Sequence, residues 1–155
     1  MIRRFVLWRA GQDNFWPLAI CGWSQKLLPR PTDVLQIRQT SVILEAEEWC
    51  LSTAGHVVLW HVGGSLLESI SDSIRRIHVQ ADALQLMVLP ESLPLKSRVS
   101  NDVALLYREL GISAVIQSAS ELERLCPLVR RYWQTIVPTK TDDLLSIWSN
   151  LPWRD

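Results

Sequence analysis

The stretch that most constrains this chain is His56-Val57-Val58-Leu59-Trp60-His61, four consecutive apolar residues between two histidines. Successive side chains of a strand point to opposite faces, so a strand apolar at every position must be covered on both sides. That is the condition of a central strand in a parallel sheet sandwiched by helices. Gly55 before it and Gly63-Gly64 after it supply turn signals at both ends. Shorter versions of the run recur. Arg4 to Trp8 is too short for a helix and rich in β-formers, and Leu84 to Leu89 is stopped by Pro90. Ser113 to Gln117 is a last strand, and Asp33 to Arg38 alternates with period two, as an edge strand with one wet face does.

Helical patterns fill the intervals. The first runs from Asp13 to about Lys26, with Asp13 or Asn14 as cap and Pro17 near the first turn, before Leu28-Pro29-Arg30-Pro31 breaks the chain. Ser41 caps a second helix carrying Ile43, Leu44, Ala46, Trp49 and Cys50, ended by Gly55. Ser65-Leu66-Leu67-Glu68 has capping-box spacing and opens a third through Ile70, Ile74 and Ile77. A fourth is clearest from Asp102 to Leu110, with Gly111 at the position that favours left-handed geometry. Ser120-Glu121-Leu122-Glu123 repeats the capping-box spacing and opens a helix to about Ile136, with Pro127 as a kink inside it. Five strands alternating with helices predict a doubly wound α/β domain over residues 1–137. Its parallel sheet takes the order 2-1-3-4-5, with helices on both faces.

Residues 138–155 read as a separate piece. Pro138-Thr139-Lys140 is a hinge, and Thr141 or Asp142 caps a helix bearing Leu144, Leu145, Ile147, Trp148 and Leu151. Such a stripe must bury against its own domain, a partner or a second copy. Leu144, Ile147, Trp148, Leu151 and Trp153 are therefore the candidate interaction residues.

Composition narrows the function. Sixteen basic and sixteen acidic residues cancel, whereas a nucleic-acid binder carries a basic excess, so no nucleic-acid partner is expected. The apolar run Phe5 to Trp8 falls short of the roughly 7–15 residues of an export signal. No stretch approaches the roughly 20 apolar residues of a membrane span, and the expected setting is the cytoplasm without membrane attachment. Cys21, Cys50 and Cys126 are scattered without metal-ligand or disulfide spacing, and each is expected to act as a small hydrophobe in a helix. Eight tryptophans are more than core packing needs, and tryptophan is enriched where surfaces meet.

Two passages carry a resemblance. Ala104-Leu105-Leu106-Tyr107-Arg108-Glu109-Leu110-Gly111-Ile112-Ser113-Ala114-Val115-Ile116 is similar to the passage of helix, glycine, small residue and last strand in the receiver domain of response regulators. Glu121 to Arg131 resembles the final helix of that family, and the N-terminal third matches by element order. The resemblance implies an acidic pair after the first strand, a phosphoaccepting aspartate ending the third, a hydroxyl after the fourth and a lysine after the fifth. A carboxylate nucleophile, a divalent cation and donors to the phosphoryl oxygens are what that chemistry needs. This chain departs at every one of these places. Arg9-Ala10-Gly11 follows the first strand, His61 ends the third, Leu89-Pro90 follows the fourth and Ser118 stands near the lysine. Aspartyl phosphorylation is not expected.

Other chemistries find no motif. There is no phosphate-binding glycine loop and no nucleophile elbow, and Arg9-Ala10-Gly11-Gln12-Asp13 has too few donors for a flavin phosphate. His61-Val62-Gly63-Gly64 lacks the aspartate that a cobalamin motif would place at Leu59. Glu45, Glu47 and Glu48, and the pairs Arg75-Arg76 and Arg130-Arg131, read as solvated helix positions. No metal, cofactor or catalytic residue is expected. Two readings stand. One is a non-catalytic receiver-like module that binds another protein or a second copy. The other is a small-molecule-binding or enzymatic domain whose crevice, at the carboxyl ends of the strands, holds Arg9, His61, Glu91 and Ser118.

Overall fold

The structure, a computed structural model, describes residues 1–9, 15–62, 67–89 and 98–136. Five parallel strands, β1 (Ile2–Arg9), β2 (Val34–Thr40), β3 (His56–His61), β4 (Ala83–Val88) and β5 (Ala114–Ile116), form one sheet in the order β2-β1-β3-β4-β5. The helices between them are α1 (Phe15–Gly22), α2 (Ser24–Leu27), α3 (Ile43–Ser52), α4 (Leu67–Gln80), α5 (Arg98–Leu110) and α6 (Leu122–Thr135). The predicted doubly wound architecture is the observed one.

Period-two alternation splits each central strand between two cores. Phe5, Leu7, Val57, Leu59, Leu86 and Val88 face α1, α2 and α6, where Trp16, Ile20, Leu27, Cys126, Val129 and Trp133 meet them. Val6, Trp8, Val58, Trp60 and Met87 face the opposite layer of α3, α4 and α5, with Cys50, Ile70, Ile74, Ile77 and Tyr107. Three polar side-chain groups inside these layers are tied to neighbours. The Trp60 indole N–H donates to Gln85 Oε1 at 3.1 Å, and Gln85 Nε2 donates to the Ile74 carbonyl at 3.0 Å. The Trp133 indole donates to the Gly55 carbonyl at 3.0 Å and ties α6 to the foot of β3.

Several local expectations are corrected. The single helix expected from Asp13 to Lys26 is two, since the first ends at Gly22, a weak helix former, and α2 restarts at Ser24. Ser41 does not cap α3; the Thr40 hydroxyl accepts the Val42 N–H at 2.9 Å instead. The box that opens the last helix is Ser118 to Glu121, two residues before the expected one, through a short 3-10 turn over Ala119–Glu121. Glu47 is no solvated residue: it is buried, accepts from Ser73 Oγ at 2.8 Å and pairs with Arg76 at 3.2 Å. Cys50 and Cys126 are buried as expected, but Cys21 is exposed. The box at Ser65 and all of residues 138–155, with Leu144, Ile147, Trp148, Leu151 and Trp153, lie outside the described residues.

Candidate functional site

All strands of a parallel sheet end at the same rim, so register alone decides which residues meet there. Arg9 pairs with His61, His61 with Val88 and Val88 with Ile116. Arg9, His61 and Val88 share the parity of Leu7, Leu59 and Leu86, which places them on the α1 and α6 face. A cleft of about 370 Å³ opens there, lined by Phe15, Trp16, His61, Leu89, Gln117, Ser118, Ala119 and Ser120.

Its walls come from two elements. One is the first turn of α1. Trp16 is buried with Ile20 one turn later, and its ring packs against the His61 imidazole at 5.3 Å between centroids, tilted by 50°. Phe15 meets Trp16 edge-on at 5.8 Å and stays 60% exposed at the mouth. The other wall is the turn from β5 into α6. The Glu121 carboxylate folds back to accept the N–H groups of Gln117 at 2.7 Å and Ser118 at 3.3 Å. The Ser118 and Ser120 hydroxyls lie 2.7 Å apart.

The arrangement is aromatic on one side and amide and hydroxyl on the other. An anion seated at the end of β5 would find the amides of Gln117 and Ser118 already engaged by a carboxylate, and would meet its charge. Two of the four crevice residues expected from sequence, His61 and Ser118, do line one cleft. Arg9 stands beside His61 in the sheet without lining the cleft, and Glu91 lies outside the described residues. Sequence reasoning missed Phe15, Trp16 and Gln117. The adjacent aromatics at the start of a helix were the available signal, because only one of the two can turn inward.

No cluster of three or more histidine, cysteine, aspartate or glutamate residues that could hold a metal occurs among the described residues. Burial disfavours the thiolate at both buried cysteines: desolvation pushes Cys50 up to about 12 and also raises Cys126. No described helix is long and apolar enough to cross a membrane.

No protein-family model matches the chain, and no curated protein matches it. Among solved structures it is similar to a CheY-like protein, TadZ, from Pseudomonas aeruginosa. The TM-score is 0.53 at 17% identity, over 90% of this chain and 98% of that one. The chain therefore has a CheY-like, receiver-like fold.

Proposed function

We propose that this chain is a non-catalytic receiver-like module that works by binding another protein. The observation that supports this reading is the end of β3. His61 stands where the receiver pattern calls for a phosphoaccepting aspartate, and the Trp16 indole packs on its ring. Phosphoryl transfer there would need a carboxylate nucleophile, a bound cation and a cationic donor. The cleft instead offers an imidazole, two aromatic rings, an apolar Leu89, an amide and hydroxyls. The Glu121 carboxylate, folded onto the amides after β5, adds a like charge on the side where a phosphoryl group would sit. With that chemistry gone, what a receiver scaffold retains is surface. The apolar stripe Leu144, Ile147, Trp148 and Leu151, with Trp153, is the segment we assign to a partner or a second copy.

One observation favours a second reading. A cleft of about 370 Å³ beside an exposed Phe15 has the size and lining of a small-molecule site, at the low end of the roughly 300–1,000 Å³ range.

One preparation tests both. After incubation with acetyl phosphate and magnesium, the intact mass is expected to stay unchanged. Native mass spectrometry at two concentrations is expected to show oligomers that weaken in the Trp148→Ala/Trp153→Ala double variant. An acid-labile phosphoryl adduct would overturn the non-catalytic reading. A retained small molecule on a monomer indifferent to those substitutions would move the function to the cleft.

A further inference from the structure

The two edges of the sheet are treated differently. β5, at one edge, is three residues long, a length that offers little to an incoming strand. β2, at the other, is seven residues long and runs in unbroken register with β1 from Val34 to Thr40. Among the described residues it pairs with β1 alone. Natural edge strands are guarded by proline, bulges or outward charges, and Val34-Leu35-Gln36-Ile37-Arg38-Gln39-Thr40 has neither proline nor bulge. Its one charge, Arg38, is drawn over the Trp49 ring at 5.4 Å, onto the α3 face. α1 lies over β2 on one side and α3 on the other, and each carries a bare leucine: Leu18 is 68% exposed and Leu44 66%.

We propose that β2 is a strand-pairing interface and that its occupant is β2 of a second copy, antiparallel about a two-fold axis at Ile37. One antiparallel register suits a second copy. With Ile37 opposite itself, Gln36 faces the second copy's Arg38, Leu35 its Gln39 and Val34 its Thr40, so no like charges oppose. Charge follows the same direction. The exposed Arg30 precedes the strand and the exposed Glu45 follows it, so antiparallel pairing sets the basic end of one copy against the acidic end of the other. A two-fold contact of this kind is self-complementary and closes at two copies. This inference goes beyond the interaction-module reading by naming a surface, and it does not use the C-terminal segment.

Gln36 is exposed, so its charge can be changed without touching either core. Gln36→Glu sets two symmetry-related carboxylates against Arg38 and should tighten the dimer about three- to ten-fold in analytical ultracentrifugation; Gln36→Arg should weaken it by a similar factor. In the unmodified protein, hydrogen exchange of the amides of residues 34–40 should slow as concentration rises. Opposite shifts for the two variants, with that protection, establish the interface. A monomer at all concentrations overturns it. So does a dimer insensitive to residue 36 but lost in Trp148→Ala/Trp153→Ala, a result that leaves the interaction-module reading standing through its other segment.

Discussion

Gly111 shows how one atom can decide a turn. It ends α5 at φ +116°, and a Cβ there would stand 2.5 Å from Cγ of His78 on the neighbouring α4. Gly111→Ala therefore meets two costs, a left-handed backbone and a close contact near the stem of a side chain. The expected loss is about 2 kcal/mol or more by urea denaturation. His78→Ala in the same background removes the ring but keeps a Cβ only 2.6 Å away, so it should recover no more than part of the contact cost. The left-handed role was legible, because a glycine directly after a periodic apolar stretch has few other uses. The approach of His78 was not, since it joins two helices 33 positions apart in the chain. The same holds for Glu47, whose place in a run of acids reads as solvated until Ser73 and Arg76 are brought to it across α3 and α4.

At the scale of the element, α6 carries a choice that local spacing could not make. Ser118-Ala119-Ser120-Glu121 and Ser120-Glu121-Leu122-Glu123 satisfy the same pattern, and only the first is used. Leu122 is buried in the α1 and α6 core, and that packing sets the phase of the helix. Glu121 is thereby turned back onto the amides after β5, while Glu123 reaches out to Lys26. Glu121→Ala is expected to cost about 1 kcal/mol, the worth of a helix cap. Glu123→Ala breaks an exposed pair and should cost under about 0.5 kcal/mol. Equal losses in chemical denaturation would return the box to Ser120 and Glu123.

Across the whole molecule the two ends of the sheet are chemically distinct. The cleft sits at the carboxyl end; at the amino end His56 and Asp33 are buried. His56 is buried at the foot of β3, and its Nδ1–H donates to the Thr53 carbonyl at 2.8 Å. Desolvation lowers its pKa below the ordinary 6.5, and Arg4 and Arg38 lower it further. The fold thus binds fewer protons than the unfolded chain just below pH 6.5, so stability falls as pH drops through that window. Asp33 adds a second, more acidic loss. Burial raises its pKa, but Arg3 at 3.0 Å and the Met1 amine at 3.2 Å outweigh this and hold it below 3.8. Its contribution is present above that value and disappears as pH falls through the lowered one. Above neutrality, melting temperature should stay flat only until the unfolded chain's thiols begin to ionise toward their ordinary 9.0, where the raised Cys50 and Cys126 turn it down. From pH 6.5 downward it should decline. His56→Gln should flatten the first part of the decline and leave the second; an unchanged profile in that variant would remove His56 as the cause.

Much of this architecture is written in local periodicity. The run from His56 to His61 required a buried parallel strand, the alternation before Arg38 an edge, and the five repeats of strand and helix a doubly wound sheet, because burial of successive side chains obeys the pitch of the backbone. Gathering His61 and Ser118 at one rim also followed, since parallel strands all end on the same side. What tertiary structure alone decided was which neighbour fills each gap: Trp16 on His61, Glu121 on the amides of Gln117 and Ser118, Arg38 on Trp49. Two of those three contacts join separate elements, and the third depends on a helix phase set by Leu122 in the core. Contacts of this kind are settled by the packing of elements against one another, for which sequence spacing carries no rule.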